Sequence, residues 1–383
     1  MNDNHKYLLP TYPDRGINII RGEGVYLYDV NGKKYIDFGS NYGVSILGYG
    51  NKVILSALKS QIEKLINLHG SLGNPVRDQA ARKLVNMCGK YYSQVYFCNS
   101  GTEAIEAALK FTKLTKRGNH IIAMQHSYHG KTLGALSVTA GEKYREPFTP
   151  LIWDVSFADF GTIENLKNSI KKDTIAIIIE PVQGEGGINP SPKGFLKAVR
   201  KLCDQNNLLL IIDEIQAGLG RTGSFLVSQN DGISADILCL GKGLAGGIPI
   251  GATVVSKNVA AHVPVHIHTS TFGGNPLAMS GILATLEFLS DKKIYRHIQE
   301  TGDYFLKELK KIRHPKIIDA RGVGLMIALE LRENATWLLK SLQDKNIIAI
   351  PAGSNVVRFL PPYLITEKEI DVLIYALKEI FVK

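Results

Sequence analysis

The chain has 383 residues, of which 45% are hydrophobic and 21% charged, a composition typical of a folded globular protein with a large core. Its formal net charge is +10, but Lys and Arg are dispersed, without a dense basic run or interleaved aromatics, which argues against nucleic-acid binding. An acidic macromolecular partner is the alternative interpretation of that charge. No apolar run approaches the ~20 residues of a membrane span, and the four cysteines form no CxxC pair. We therefore expect a cytoplasmic protein with reduced thiols, no membrane partner and no metal site.

The N-terminal part predicts a β-hairpin and two helices. Residues 17–38 alternate as strands around Asn31-Gly32, a dipeptide typical of two-residue hairpin turns. Residues 51–68 have the apolar spacing of a helix, and a second helix is predicted to begin near Pro75.

A strand-to-helix junction follows. A short β-rich run ends at Asn99, and Ser100-Gly101-Thr102 leads into a helix. Such a junction presents free backbone N–H groups, hydroxyls and the positive end of the helix dipole to an anion. It predicts a phosphate site, with a simple Ser/Thr helix cap as the alternative.

Residues 120–138 contain an aromatic residue in a glycine-flanked turn. Tyr128 is well placed there to stack on a flat ring. His126 and His129 are three residues apart, but no third ligand of the metal-binding type lies nearby, so we do not expect zinc. Another buried apolar run, at 174–179, ends at Glu180 and is followed by a glycine-rich turn.

Two further apolar runs predict buried parallel strands that deliver functional groups at their carboxyl ends. They are Leu208–Ile212 and Ile237–Leu240. Asp213 follows the first run, and Lys242 follows the second between two glycines. Neighbouring parallel strands would bring this acid and this lysine together.

A carboxylate beside a lysine matches the needs of pyridoxal phosphate. Its aldehyde condenses with a lysine, and its ring stabilises a carbanion while the pyridine nitrogen stays protonated. A nearby carboxylate favours the protonated nitrogen, so we expect Asp213 to hold it. We expect Gln216 to hydrogen-bond the ring hydroxyl and Ile215 to press on one ring face. Lys242 would attach the cofactor and act as general base.

Plainer interpretations exist for the same residues. A lysine among glycines is often a solvated loop residue, and Asp213-Glu214 after a strand is often a helix cap. GLGRTG at 218–223 matches G-x-G-x-x-G, which would fit an NAD-dependent dehydrogenase. However, these glycines follow the strand only after DEIQA, and SFLVSQNDG stands where the long helix of that motif is expected.

After about residue 290 the pattern changes to amphipathic helices and short strands, which predicts a smaller α+β domain. Residues 321–331 predict one strand, and 346–350 and 356–360 predict two more. Thr366 and Glu369 form a capping box that predicts the start of the last helix.

Several motifs resemble those of the class-III aminotransferases of pyridoxal phosphate fold type I. They are SGTEA, HGKTLG, EPVQGEGG, DEIQAGLGRTG, LGKGLAGGIPIGA, STFGGNP and RFLPP, in register over nearly the whole chain. KYREPF, RGVGLM and RFLPPYLIT are similar to the acetylornithine aminotransferase group. They are closest to its branch acting on lysine or ornithine precursors attached to a small acidic amino-group carrier protein.

The resemblance implies an α/β fold with a large domain, built on a mostly parallel seven-stranded sheet, and a smaller α+β domain. The expected division is 1–50 as an N-terminal segment packing with the small domain, 51–285 as the large cofactor-binding domain, and 286–383 as the small domain.

The resemblance also implies roles for single residues. Gly101 and Thr102 would bind the phosphate, joined by Thr271 from the other subunit of a homodimer with shared active sites. The expected cofactor-binding set is Ser100, Gly101, Thr102, Tyr128, Asp213, Glu214, Ile215, Gln216, Lys242 and Thr271, with Lys242 and Asp213 catalytic. The expected substrate-binding set is Lys131, Arg145, Glu185, Ser270 and Arg358.

Within the substrate set, Arg358 matches the arginine that binds the carboxylate of 2-oxoglutarate or glutamate. Glu185 matches the acid that neutralises this arginine while the basic amino donor is bound. Lys131 stands where the family usually has an arginine, and a lysine keeps the charge but loses the bidentate fork. In the family that arginine contacts the other carboxylate of the donor or acceptor, and Arg145 is a further candidate for this contact. Tyr128 replaces the usual stacking Phe.

We therefore expect an aminotransferase that moves the terminal amino group of acetylornithine, or of carrier-linked lysine or ornithine, to 2-oxoglutarate. The products would be a semialdehyde and glutamate, in arginine or lysine biosynthesis. An ornithine or 4-aminobutyrate aminotransferase is the alternative within the class. From other classes, an NAD-dependent dehydrogenase and a non-catalytic binding protein stay open.

Overall fold

The computed structural model describes residues 7–382. The strands in that range are β1 Ile19–Glu23, β2 Tyr26–Asp29, β3 Lys34–Asp37, β4 Tyr92–Cys98, β5 His120–Met124, β6 Asp154–Ala158, β7 Thr174–Ile179, β8 Val182–Gln183, β9 Asn189–Pro190, β10 Leu209–Asp213, β11 Ile237–Leu240, β12 Gly251–Ser256, β13 Ile317–Val323, β14 Met326–Leu331, β15 Ile347–Ile348, β16 Ile350–Ala352 and β17 Val356–Phe359.

The helices in the same range are α1 Ser40–Gly43, α2 Lys52–Ile62, α3 Pro75–Cys88, α4 Gly101–Thr115, α5 Leu133–Ser137, α6 Glu142–Arg145, α7 Ile163–Asn168, α8 Phe195–Gln205, α9 Val227–Asn230, α10 Lys257–Ala260, α11 Pro276–Phe288, α12 Lys292–Lys310, α13 Thr336–Asp344 and α14 Glu367–Val382. Single 3-10 turns occur at Glu146–Phe148 and Lys242–Ala245.

The centre of the molecule is a seven-stranded sheet with the order β4-β12-β11-β10-β7-β5-β6. β12 runs antiparallel to both neighbours, and the other pairings are parallel. β7, β10 and β11 are buried along their whole length, as expected for runs of aliphatic residues covered on both faces. The sheet confirms the predicted fold class and the two buried parallel strands.

The N-terminal hairpin forms, but its turn is longer than predicted. β2 and β3 are antiparallel, and Tyr28 opposite Lys34 is the last register pair before the turn. The carboxylate of Asp29 accepts hydrogen bonds from the backbone N–H groups of Asn31 and Lys33, both at 2.9 Å. This side-chain bridge stabilises a wider turn than the two residues expected from Asn31-Gly32.

The N-terminal strands join the C-terminal part of the chain. β3 pairs in parallel with β15, which extends the sheet β1-β2-β3. The guanidinium of Arg15 donates to the Gln343 side chain at 2.9 Å and to the Ala349 carbonyl at 3.0 Å. The division into 1–50, 51–285 and 286–383 stays a prediction, which this pairing favours.

The prediction of one strand over 321–331 is wrong. β13 and β14 form an antiparallel hairpin, and the chain reverses between Val323 and Met326. Gly324 has a φ of +55°, a conformation that glycine adopts without steric cost. The predicted capping box is present, since the Glu369 carboxylate accepts from the Thr366 N–H at 3.1 Å. Among the described residues, no helix has both the length and the apolar character of a membrane span.

Candidate active site

The parallel strands β4, β5, β7, β10 and β11 end at one edge of the central sheet, where a cavity of about 260 Å³ opens. It is lined by Gly101, Thr102, Tyr128, His129, Gly130, Lys131, Glu180, Gly184, Glu185, Asp213, Ile215, Gln216 and Lys242. Ligands of open α/β sheets bind at this edge because loops and helix N-termini converge there. The structure thus brings most of the predicted residues together.

Lys242 follows β11 and begins a 3-10 turn. Its φ of +47° lies in the left-handed region, which is uncommon for a lysine and occurs most often at functional positions. Burial, with a further contribution from the positive charge of Arg358, lowers the pKa of Lys242 to about 8. At neutral pH a larger fraction of its amine is therefore unprotonated, and thus nucleophilic, than for an exposed lysine.

Asp213 ends β10 and is held on both carboxylate oxygens. Oδ1 accepts from the backbone N–H of Ile215 at 3.0 Å, and Oδ2 lies 2.8 Å from Nδ1 of His129. Both side chains are buried. His129 is fixed in turn by its backbone N–H, which donates to Thr139 Oγ1 at 2.9 Å. The sequence offered His129 only as a metal ligand, so its role as the partner of Asp213 was missed.

The start of α4 lies at Gly101, within the segment where the sequence predicts an anion site. The Ser100 hydroxyl accepts from the Glu103 N–H at 3.3 Å, so the helix-cap interpretation of Ser100 is also correct. Thr102 Oγ1 lies 2.9 Å from Thr132 Oγ1. Gly130 has a φ of +136°, and a Cβ atom there would overlap Thr102 Oγ1. Gly130 therefore lets the turn after β5 approach the first turn of the helix.

Glu180 joins two of the loops that line the cavity. Its carboxylate accepts from the Tyr128 N–H and from the Gly184 N–H, each at 2.9 Å. Burial raises the pKa of Glu180 to about 7, although the neighbouring His129 lowers it; Asp213 adds to the rise. Burial and the neighbouring Glu185 raise the pKa of Tyr128 to about 12, so its phenol stays neutral.

Arg358, on β17, is fully buried and contacts two residues that line the cavity, Glu185 and Gln216. Its guanidinium donates to Glu185 Oε1 at 2.7 Å, to Gln216 Oε1 at 3.0 Å and to the Pro351 carbonyl at 3.0 Å. The ring of Tyr42 lies 5.5 Å from the guanidinium carbon, a contact that the sequence did not indicate. Glu185 keeps 27% of its side-chain surface exposed, so one partner of this ion pair faces solvent.

Six predicted residues, all within 7–382, do not line this cavity: Ser100, Arg145, Glu214, Ser270, Thr271 and Arg358. The Glu214 carboxylate instead accepts from the backbone N–H groups of Val227 and Ser228 at 2.7 and 2.9 Å. It lies on the other side of the chain from Asp213 because successive residues of an extended segment point in opposite directions. Burial raises the pKa of Glu214 to about 7.

The other two substrate candidates also lie outside the cavity. The guanidinium of Arg145 stacks over the ring of Phe157, with 4.6 Å from its carbon to the ring centroid. The Ser270 hydroxyl accepts from the Gly273 N–H at 3.0 Å. Thr271, the predicted phosphate ligand from a second subunit, is exposed.

The glycine-rich segment 218–223 does not form a dinucleotide site. The helix that follows it, α9, has only four residues, too short for the phosphate-binding helix of that motif. Arg221, in the middle of the segment, is buried and donates to the carbonyls of Leu325 and Pro361 at 3.0 and 2.6 Å. The segment therefore serves to connect the central sheet with the C-terminal strands.

The residues present fit pyridoxal phosphate. Lys242 provides the amine that the cofactor aldehyde requires, and Asp213 provides a fixed carboxylate for the ring nitrogen. The first turn of α4 provides N–H groups for a phosphate. A Cβ atom on Gly101 would come within 2.9 Å of Ile215, so the phosphate loop and the residue that would cover the ring are in close contact. When bound, the cofactor supplies the electron-accepting ring for removal of a proton next to nitrogen.

Comparison with known proteins identifies the family. Residues 10–381 match the family model described as aminotransferase class-III. The chain is similar to an acetylornithine aminotransferase from Methanocaldococcus jannaschii, with 40% identity over 384 residues that cover 98% of this chain and 96% of that protein. It is also 39% identical to a LysW-aminoadipate semialdehyde/glutamate semialdehyde transaminase from Sulfurisphaera tokodaii, covering 94% and 93% of the two chains.

The fold comparison agrees. The crystal structure of the ornithine aminotransferase from Toxoplasma gondii ME49 superposes with a TM-score of 0.94 at 31% identity, covering 99% of this chain and 93% of that chain. The N-acetylornithine aminotransferase from Stenotrophomonas maltophilia gives a TM-score of 0.83 at 30% identity, covering 96% of each. The chain belongs to the class-III aminotransferase family and is a pyridoxal phosphate-dependent aminotransferase.

Proposed function

We propose that the enzyme moves the terminal amino group of acetylornithine, or of lysine or ornithine linked to an acidic carrier protein, to 2-oxoglutarate. The products are a semialdehyde and glutamate, and the setting is the biosynthesis of arginine, lysine or both. The names of the two relatives described above support these donors.

The observation that carries the proposal is the buried ion pair between Arg358 and Glu185. One cavity must accept a cationic amine in the first half-reaction and a dicarboxylate in the second. While paired with Glu185, Arg358 does not repel the amine; when Glu185 moves toward solvent, the guanidinium fork becomes available to a carboxylate of 2-oxoglutarate. A buried arginine that alternates between an internal and an external carboxylate suits this sequence of substrates.

We assign the chain's own groups as follows. Lys242 holds the cofactor and moves the proton at the substrate carbon, which its lowered pKa supports. Asp213, fixed by His129, holds the ring nitrogen, and Ile215 and Tyr128 enclose the ring. The Gln216 side chain gives its Oε1 to Arg358 and keeps its amide N–H groups for the ring hydroxyl.

We propose a homodimer with shared active sites. Ser270 and Thr271 lie outside the cavity of their own chain. Large apolar side chains beside them are exposed, namely Val265 at 83% and Phe272 at 59%. Exposed apolar residues near an exposed Thr271 favour contact with a second copy, to whose phosphate site Thr271 would contribute.

We propose that the basic surface attracts an acidic carrier. The net charge is +10. Lys131 lines the cavity, and its ammonium group and that of Lys143 lie 5.1 and 4.7 Å from the ring centroid of Tyr144. Long-range attraction of this kind acts mainly on the association rate. The four free, buried cysteines support a reducing, cytoplasmic setting for such a complex.

The test is a donor panel with the purified enzyme and 2-oxoglutarate, read as glutamate formed. The donors are acetylornithine, ornithine, 4-aminobutyrate and carrier-linked lysine. We expect turnover of acetylornithine or of the carrier-linked donor to exceed that of the other two. If the carrier-linked donor is the substrate, the enzyme's kcat/KM for it falls steeply between about 0.1 and about 1 M salt, because the Debye length falls from about 10 to about 3 Å. The kcat/KM for acetylornithine changes little over the same range. A preference for free ornithine or 4-aminobutyrate would contradict the proposal.

A further inference from the structure

Glu180 has a position that the assigned roles do not use. It follows β7, its side chain is buried, and it lines the cavity. Each of its two carboxylate oxygens accepts one backbone N–H, from Tyr128 on one side and from Gly184 on the other, at 2.9 Å. These two N–H groups belong to loops that are far apart in sequence.

The two loops carry groups with different tasks. Tyr128 lies in the turn after β5 and faces the cofactor site. Gly184 immediately precedes Glu185, the acid that pairs with Arg358. The loops have a second connection, because the Gln183 side chain donates to the Gln125 carbonyl at 2.6 Å. Loss of the Glu180 bonds would therefore loosen the loops without separating them.

We propose that Glu180 is a positioning residue that sets Tyr128 and Glu185 relative to each other, so that the ring contact and the Arg358 ion pair are formed together. The inference rests on the proposed function, because it uses the roles assigned there to Tyr128 and Glu185. An ionised carboxylate can hold both N–H groups at once. A protonated carboxyl group has one oxygen committed as a donor, which leaves one backbone N–H without a good acceptor.

The charge of Glu180 responds to its neighbours in the cavity. Asp213 opposes its ionisation and His129 favours it, while burial opposes it most, so that its pKa is raised to about 7. Lys242 also lies within electrostatic range. As the pH falls, the raised pKa means that Glu180 takes up a proton earlier than an ordinary glutamate and loses one of the two bonds. The connection that Glu180 makes between the Tyr128 and Gly184 loops is therefore intact at higher pH and weakened at lower pH.

The test variant is Glu180→Gln, which keeps the shape and one acceptor oxygen but presents an NH2 group to the other N–H. The matched control is Asp236→Asn. Asp236 is also buried and also accepts a backbone N–H, from Leu210 at 2.8 Å, and it pairs with Arg200 at 2.7 Å. It directly precedes β11 and does not line the cavity. The control therefore reports the general effect of losing a buried carboxylate.

We expect faster amide hydrogen exchange at Tyr128 and Gly184 in Glu180→Gln but not in Asp236→Asn. We also expect kcat/KM for the amino donor to fall about tenfold more than kcat/KM for 2-oxoglutarate, because a loosened Glu185 leaves Arg358 exposed to the cationic donor. The ratio of wild-type kcat/KM to Glu180→Gln kcat/KM for the donor should shrink as the pH falls, because the pKa of Glu180 is raised.

Unchanged exchange at both amides would overturn the inference. So would an equal loss with donor and 2-oxoglutarate, since a purely electrostatic effect on the cofactor ring would slow both half-reactions alike. The exchange measurement does not depend on turnover. If the wild type transferred no amino group to 2-oxoglutarate, the proposed function would fail, and the exchange result would still decide whether Glu180 holds the two loops.

Discussion

Replacing Arg358 with alanine separates the two half-reactions. Its guanidinium is fully buried and makes three hydrogen bonds, to Glu185, Gln216 and the Pro351 carbonyl. In the proposed cycle the same guanidinium later binds a carboxylate of 2-oxoglutarate. Arg358→Ala removes that binding. In the half-reaction of the cationic donor, the variant removes only a guanidinium whose charge is already neutralised by Glu185.

The size of the effect follows from the burial of the guanidinium. Removing one partner of a buried, hydrogen-bonded charge pair costs about 2–5 kcal/mol. Since about 1.4 kcal/mol corresponds to a factor of ten, kcat/KM for 2-oxoglutarate should fall by about 30- to about 4,000-fold. Glu185 is partly exposed and can be hydrated once unpaired, so we expect less than about tenfold for the donor.

The assay measures each half-reaction by itself in single-turnover experiments, from the absorbance change of the bound cofactor. Arg358→Lys is the matched control, because it keeps the charge but loses the planar fork. We expect the kcat/KM of Arg358→Lys for 2-oxoglutarate to lie between the values of the wild type and of Arg358→Ala. Equal losses for donor and 2-oxoglutarate in Arg358→Ala would refute the alternating role of the arginine.

Three further perturbations test the site and the fold. Asp213→Asn should retain the cofactor but lower turnover by about 10²-fold or more, measured as glutamate formation, because the ring nitrogen loses its charged partner. His120 is buried between the hydroxyls of Thr174 and Ser156, and burial lowers its pKa. The folded state therefore binds a proton less readily than the unfolded state, so Tm should fall as the pH drops below about 6.5, and less so in His120→Gln. Arg221→Met should lower the free energy of unfolding in urea by about 1–3 kcal/mol, because two buried carbonyls lose their donor.

The parts of the site that could be predicted from sequence are those fixed by local pattern. Aliphatic runs that end in a polar residue identified β10 and β11, and so placed Asp213 and Lys242 at neighbouring strand ends. The Ser100-Gly101-Thr102 junction predicted the start of α4 in the same way.

Contacts between distant loops could not be predicted from local pattern. His129 meets Asp213 across 84 positions of sequence, and Glu180 meets Tyr128 across 52. Their positions depend on the order of strands in the sheet rather than on any periodicity. The hairpin of β13 and β14 was missed because the reversal at Gly324 interrupts an otherwise uniform apolar run.

The most direct test of the account is to reduce the purified enzyme with borohydride and map the peptide that carries the cofactor. We predict that Lys242 carries it, because this residue combines a lowered pKa with a place in the cavity opposite Asp213. In the matched variant Lys242→Ala, the label and nearly all glutamate formation should disappear while the protein remains folded. Cofactor attached to a different lysine, or wild-type turnover by Lys242→Ala, would contradict the account.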